Sequence, residues 1–484
     1  MKRSLLVIAL AFCASGAMAQ AEGSAFSASG RGGVATTMVR DYQAIGINPA
    51  NLGWGTGIEG KKGAFTFSEG AYSLHSEALT KPELRTAIRD FDSEFTLEEK
   101  QAAANNFAGT NLAVNIDITS LAFAYMNEKV GGFALSVRDR VSWFSNFNQN
   151  VSEILFMGKH APYFDVKLDA DGQELPADSA AILDAVATAR ASVPQLYSEL
   201  SEGSQLSLTW WREYNLAYGR HIIREEDKLE IHVGAGVKYL AGQGILEAVT
   251  RDGEFEAYSA LTPFFDIDYG AAANANPSTV EQSGLLPRAV GRGLGFDFGA
   301  NVVLLGRFKF GAAITDIGSI NWDGNVYVAA DDTLFEYESG GFDNYNIFAQ
   351  AGDIVGDQGF LEWNGAVEKT VSLPTAIRLG GSVILVEDKL EVGTDLIVPG
   401  NSVAGNYDKA IWALGGEFAP VEGLRFNAGI SMGGNYGVNL PVGIVIRSGG
   451  GTWEAGLASR DAITFFTQNQ PTLSLAFGFA RFRF

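Results

Sequence analysis

Cysteine is almost missing from this chain. Its single cysteine, Cys13, lies inside a stretch that reads as a cleavable export leader. Lys2 and Arg3 supply the positive n-region, Leu5 to Phe12 the apolar core, and Ala17-Met18-Ala19 the small-x-small cleavage pattern. Residues 1–19 are therefore expected to be removed, and the mature chain to begin at Gln20. Phe12 stands where a lipoprotein signal needs a small residue, so no lipid anchor is expected. A mature chain without thiols excludes disulfides, thiolate zinc sites and cysteine nucleophiles. Long apolar runs are missing too. No stretch after the leader approaches the ~20 residues that a membrane helix requires. Positive charge is scarce, with 35 Lys and Arg against 56 Asp and Glu and a net charge of −21. Losing Lys2 and Arg3 with the leader takes this to −23, which makes the chain a poor candidate for nucleic acid or for electrostatic docking to anionic lipid surfaces. Histidines are few and scattered: His75, His160, His221 and His232. His221 and His232 lie on neighbouring strands near one short turn, but two histidines do not make a metal site. No motif calls for a cofactor.

Glycine, by contrast, is abundant at 58 residues, and aromatics reach 11%. That composition behind an export leader suits strands that pack Gly against aromatic neighbours. The spacing of strands and turns carries more. Spanning strands need roughly 9–11 residues with alternating faces, joined by short turns at one end. Six hairpins read directly: Asn111–Met126 with Gly131–Phe147, Gln205–Ile222 with Leu229–Gly242, Arg292–Leu305 with Phe308–Ile320, Val371–Val386 with Leu390–Pro399, Ala410–Ala419 with Leu424–Gly434, and Val442–Arg447 with Thr452–Arg460. The connections between them are longer, at 148–204, 243–291, 321–370, 400–409, 435–441 and 461–471. A first strand near Gly63–Tyr72 and a last at Thr472–Phe484 bring the expected number to fourteen. Both chain ends then fall on the short-turn, periplasmic side. The fold class expected is all-β: a transmembrane antiparallel barrel over 61–484, with short helical insertions in its outer loops. A propeller would repeat every ~40–50 residues, and no such repeat is present.

Strand faces agree with this reading. Leu121, Phe123 and Tyr125 point one way, and Ser120, Ala122 and Ala124 the other. Leu473, Leu475, Phe477 and Phe479 share a face, but the aromatic parity shifts before Phe482 and Phe484, which suggests a bulge. Thr96-Leu97-Glu98-Glu99 is a capping box that Lys100–Phe107 continues as a helix. Ser179–Leu200 is Ala-rich and reads as a second amphipathic helix. Gly429-Ile430-Ser431-Met432-Gly433 matches a hydrolase pattern, but in a Gly-rich strand without the strand-to-helix elbow that chemistry needs. Gly291 to Gly295 reads as a strand and not a phosphate cradle. Asp169, Asp171 and Gly172 only loosely match a calcium loop, and a solvated turn is favoured. Trp143, Trp210, Trp211, Trp412 and Trp453 read as girdle or barrel-packing residues.

Residues 20–60 precede the first strand. They are Gly-rich and polar, from Ser29-Gly30-Arg31-Gly32-Gly33 to Asp41-Tyr42-Gln43-Ala44-Ile45-Gly46-Ile47-Asn48-Pro49-Ala50. A segment with so little core-forming capacity needs a host, and the barrel lumen is the obvious one. Here the sequence resembles the long-chain fatty acid transporter (FadL-like) superfamily of outer-membrane barrels, in particular its less-characterised exported members. That family opens with a short hatch carrying Asn-Pro-Ala, matched by Asn48-Pro49-Ala50, and fourteen strands follow. Gly293 to Ala300, Thr315-Asp316-Ile317-Gly318 and Leu373-Pro374-Thr375 add to the likeness. The resemblance implies an outer-membrane location and passive, plug-gated passage of hydrophobic small molecules, with Gly46, Asn48, Pro49 and Ala50 in the hatch. It also implies a C-terminal signal at Phe482 and Phe484, read by the barrel-assembly machinery. The alternative is a structural or secretion-associated barrel that binds protein partners through its large outer connections. No enzyme chemistry is expected.

Overall fold

The computed structural model describes residues 25–484 except 90–93, 128, 177–184, 226–227, 346, 348–349, 351–354, 357–358, 407–408, 435, 468 and 471. The expected leader and its cleavage site lie outside the described residues. Fourteen strands form the wall: β1 Gly63–Ser76, β2 Asn111–Asn127, β3 Gly131–Asn146, β4 Gln205–Glu225, β5 Leu229–Arg251, β6 Gly291–Leu304, β7 Phe308–Trp322, β8 Ala376–Val386, β9 Leu390–Pro399, β10 Ile411–Val421, β11 Leu424–Gly433, β12 Val442–Ser448, β13 Trp453–Ser459 and β14 Thr472–Arg483. Each pairs antiparallel with its sequence neighbours. β14 returns to β1, with Ala64 opposite Arg483 and Tyr72 opposite Leu475. Closure removes the sheet edges, so backbone N–H and C=O groups can be paired inside hydrocarbon.

The alternation is that of a transmembrane barrel. In β6, Leu294, Phe296 and Phe298 are 41–52% exposed on the outer wall, while Asp297 and Asn301 are buried in the lumen. In β14, Leu475 and Phe479 face out while Arg481 and Arg483 face in. Apolar outside and polar inside is what hydrocarbon around a barrel demands. The parity shift in the last strand is a bulge. Glu454 pairs Arg481 but Gly456 pairs Gly478, so β14 spends one extra residue there. A second bulge corrects one assigned face. The β2–β3 register shifts between Thr119 and Leu121, and Ser120 lies exposed instead of lumenal.

At the long-connection end the chain builds a cap. β5 runs 23 residues, well past what a bilayer needs, and turns back on Glu254–Leu261. The expected loop 243–291 is therefore partly strand. Three helices, α2 Lys81–Arg89, α3 Leu97–Phe107 and α4 Gln149–Met157, join a small sheet of Val166–Leu168, Thr188–Leu196 and Thr333–Tyr337. α3 carries the expected capping box: Thr96 Oγ1 accepts from Glu99 N–H at 3.3 Å and Glu99 returns the bond at 2.8 Å. The second expected helix fails. Of Ser179–Leu200, residues 179–184 lie outside the described ones, Thr188–Leu196 is a strand, and only Tyr197–Leu200 is helical. Pro194 forbids a helix running through it, and two partner strands offer the segment backbone bonds. The cap is held by a conventional core. Phe156 contacts Phe107 at 4.9 Å and Phe342 at 5.3 Å between ring centroids, and all three are buried.

Candidate functional site: the plugged lumen

Residues 25–54 run inside the barrel and are almost entirely buried. α1, Phe26–Gly30, lies along β11 to β14, and the Phe26 ring fills space left by Gly456 and Gly478. The chain then turns at Gly32 and Gly33 (φ 75° and 96°) and again at Gly46 (φ 70°), conformations that favour glycine. Asn48 is extended (φ −154°, ψ 99°), as the residue before a proline must be. Its side-chain oxygen accepts the Ala50 N–H at 3.2 Å, so it caps a 3-10 turn over Pro49–Trp54. The Asn48-Pro49 step thus starts a turn within the lumen and does not lead directly into β1.

Glycine in the wall explains how a backbone can lie this close. The Pro49 carbonyl sits on Gly219 and Gly234, the Leu52 carbonyl on Gly132, the Asn48 amide on Gly299, and Arg31 on Gly415 and Gly429. A methyl group at any of these positions would overlap the segment. Other glycines do serve aromatics, as at Gly242 and Gly291 around Trp322. Backbone approach is the second use of the glycine excess.

Polar clamps fix the segment around the ring. Arg481 holds both Asp41 oxygens at 2.9 and 2.8 Å, and Arg483 adds a third contact at 3.4 Å. Tyr42 donates to Glu69 at 2.8 Å, joined there by Gln43. Arg31 pairs with Glu417 at 3.2 Å. The Ala35 and Thr36 amides donate to Asp395 at 3.0 and 2.9 Å. Asn48 Nδ2 donates to Asn301 at 2.8 Å, and Asn301 in turn binds Asn51 at 2.5 Å. These partners come from β1, β6, β9, β10 and β14.

Beyond Gly46 the lumen carries an ion-pair web. Arg138 binds Asp117 at 2.7 Å through Nε, Arg140 binds Glu213 at 3.1 Å and Asp316 at 2.9 Å, and Lys238 binds Asp297 at 2.9 Å as well as Asp316. Asp316 reaches them because β7 bulges between Ile314 and Ile317, with Asp316 at φ 59°. The bulge turns both Thr315 and Asp316 inward, and the Asp316 N–H is taken by Asp297 at 2.9 Å.

The remaining sequence candidates fall as follows. Gly46 faces Arg138 and Lys238. Phe482 and Phe484 lie outside the lumen at the β14–β1 seam, where Phe484 covers Gly63 and Phe482 stacks on Phe65 at 5.0 Å. His221 and His232 are cross-strand partners with ring centroids 6.4 Å apart, and among the described residues no third ligand completes a metal cluster. Ser431 is buried in strand β11 beneath the segment. Asp169 caps a turn through the Asp171 and Gln173 amides at 2.9 and 2.8 Å. Trp211 and Trp143 are buried, whereas Trp412 is 37% exposed. The clamps themselves, Asp41, Glu69, Asn301, Asp395 and Glu417, were not singled out by sequence. Their one legible signal is the polar residue at an inward position, as in Arg481-Phe482-Arg483.

A closed barrel, apolar outside and occluded by its own N-terminal segment, defines a plugged transmembrane β-barrel. Residues 83–452 match the family described as "Family of unknown function (DUF5723)", and the chain belongs to that family. No curated protein matches it. Similar solved structures include a TodX monoaromatic hydrocarbon channel mutant (9% identity, 95% of this chain and 98% of that one, TM-score 0.47). Others are the Ralstonia pickettii toluene transporter TbuX (13%, 96% and 99%, TM-score 0.42) and a Pseudomonas aeruginosa FadL homologue (10%, 96% and 97%, TM-score 0.41). The fold assignment rests on the strand pairing above.

Proposed function

We propose that this protein is a passive outer-membrane channel, closed at rest by residues 25–54, with small apolar molecules as cargo. The observation that carries this reading is an apolar pocket at the outer mouth, between the cap and the ends of β4 and β5. Phe147, Leu155, Leu206, Leu246, Phe255 and Trp363 line it. Its apolar lining suits a hydrophobic ligand, which its resting volume of about 30 Å³ admits only when the cap moves. The lumen beneath is polar and filled, so such a ligand passes only if the segment or the wall moves. The neutral clamps are each worth about 0.5–1.5 kcal/mol, small enough for movement in steps. The mature chain lacks cysteine, so an Asn48→Cys/Asn301→Cys pair can lock the segment to β6. Uptake of labelled naphthalene into proteoliposomes should fall at least tenfold on oxidation and return on reduction. Equal uptake in both states would sink plug gating, and uptake no faster than in protein-free vesicles would sink the channel.

Biogenesis through the barrel-assembly machinery belongs to the same reading, with Phe482 and Phe484 as its signal. Removing Phe484 should lower the yield of folded barrel in cells. The partner-binding alternative draws on one observation: Val193 and Phe335 stand 76% and 49% exposed on the cap sheet. A stoichiometric protein cross-linked to that sheet would raise it above transport.

A further inference from the structure

The outer face of the wall changes character within one outward step of its strands. Tyr214 of β4, Tyr239 of β5 and Leu294 of β6 stand opposite one another on neighbouring strands and are exposed toward lipid, with the two tyrosine rings 6.1 Å apart. At the next outward positions toward the cap the side chains are charged. Arg212 of β4 pairs with Asp139 of β3 at 3.0 Å, and Arg292 of β6 pairs with Asp323 at 3.3 Å. Amphipathic tyrosines beneath a row of ion pairs mark the level where hydrocarbon gives way to headgroups.

The connection from Leu261 to β6 lies against the wall at that level. Phe265 meets Trp210, the outward residue after Arg212, edge-on at 6.0 Å. The Val280 amide donates to the Asn325 side chain at 2.7 Å, and the Val290 amide to the Gly242 carbonyl at 2.8 Å. Between these two fixed points the chain stands off as a short finger. Leu285 and Leu286 form its tip, and they are 96% and 73% exposed. Leu285 is the most exposed large apolar side chain among the described residues. Water is a poor solvent for such a pair. The finger also takes up its own backbone. Gln282 Nε2 donates to the carbonyls of Gly284 at 3.0 Å and Leu286 at 2.7 Å, and Arg288 Nη1 donates to the Glu281 carbonyl at 3.0 Å. Gly284 makes the turn at φ 97°, and Pro287 has no N–H to satisfy. A tip whose carbonyls are bonded in this way leaves water at less cost than an open loop does.

We propose that Leu285 and Leu286 insert among the acyl chains of the surrounding outer leaflet, so that the finger anchors the outer rim of the barrel. Continuity with the lipid-facing wall favours lipid as the occupant. The finger runs straight into the strand whose outward residues, Arg292 and then Leu294, already step from headgroup to hydrocarbon. The four residues from Leu286 to Val290 span at most ~14 Å, which keeps the leucines within reach of that boundary. The proposal rests on the placing of the wall in the membrane and is independent of any cargo.

The only cysteine lies in the leader, so single nitroxide labels can be placed on the mature chain. Three sites suffice: Leu286→Cys on the finger, Phe296→Cys on the lipid-facing wall and Val193→Cys on the cap sheet. The barrel is reconstituted into vesicles of phosphatidylethanolamine and phosphatidylglycerol. Paramagnetic resonance then measures how often each label collides with oxygen, which concentrates in lipid, and with a water-soluble nickel chelate. The oxygen-to-nickel ratio at position 286 should exceed that at 193 at least fivefold and approach that at 296. Adding Leu285→Asp to Leu286→Cys should return the ratio to that of the cap sheet. Equal ratios at 286 and 193 would overturn the proposal, as would a ratio that Leu285→Asp leaves unchanged. Low collision with both reagents at 286 would mean that a second protein copy covers the tip, which overturns it equally. Free nickel access at 296 would remove the lipid-facing wall itself and the finger with it.

Discussion

The lumen and the cap are two interiors of one chain, and they are built on opposite principles. The cap buries Phe107, Phe156 and Phe342 around one apolar centre, as a water-soluble domain does. The lumen buries Asp41, Glu69, Glu213, Arg481 and Arg483, and stabilises them by pairing. The reason is what lies outside each. Around the barrel, lipid takes the apolar face of every strand, which leaves the polar face for the interior. Around the cap there is water, so the apolar face goes in. Apolar burial tolerates sliding. Buried charges do not, because a carboxylate moved off its arginine is left desolvated and unpaired. The lumen therefore holds its occupant in one position at rest.

Breaking one interior should leave the other standing. The largest effect is expected from Asp41→Ala, which takes the segment's carboxylate away from Arg481 and Arg483 and leaves both to Glu454 of β13. Removing one partner of a buried ion pair costs about 3–5 kcal/mol, and trypsin should then cut at Arg31 or Arg40 while the barrel stays folded. Continued protection of both sites would show that the charges do not seat the segment. Phe156→Ala is the mirror experiment. It should cost the cap about 3–5 kcal/mol, read as faster hydrogen exchange in α3 and α4, with Arg31 and Arg40 still protected. Gly234→Ala sets a methyl against Pro49 and should cost about 1–3 kcal/mol, again exposing the segment. Gly437→Ala, with nothing within 4 Å of the added carbon, should change neither interior.

The smallest effect sharpens the contrast from the cap side. Burial pulls the Lys167 ammonium down to about 8, partly opposed by Asp165. The folded cap then binds fewer protons than the unfolded chain between pH 8 and the ordinary lysine range. Its stability should rise with pH across that window. Lys167 is half-exposed, so the rise should stay below about 1 kcal/mol. Cap hydrogen exchange corrected for intrinsic rate, compared at pH 7.5 and 9.5, measures it, and Lys167→Met should flatten the dependence.

Much of the wall could be read directly, because period-two alternation repeats in every strand and short turns punctuate it. Leu294, Phe296 and Phe298 against Asp297 show it within one strand. The cap was harder to read. An Ala-rich run such as 185–200 satisfies a helical pattern as easily as a strand, and only the partners at Val166–Leu168 and Thr333–Tyr337 settle which forms. The lumen was half legible. Gly46 and Asn48-Pro49-Ala50 stand out as turn residues, but Asp395 and Asn301 look like any inward polar residue until the segment lies against them. The 400–409 connection looked like an outer loop, and the placing of its Gly405 against Thr209 and Trp211 depends on β4, which lies nearly two hundred residues earlier in the chain.

What the sequence determined alone is the barrel: its strand number, its closure, and which face meets lipid, since all three follow from local alternation and turn spacing. What only the tertiary structure decided is the pairing within the lumen. Asp41 meets Arg481 and Asn48 meets Asn301, because those encounters depend on how a polar segment threads through a closed ring. No local periodicity encodes that path.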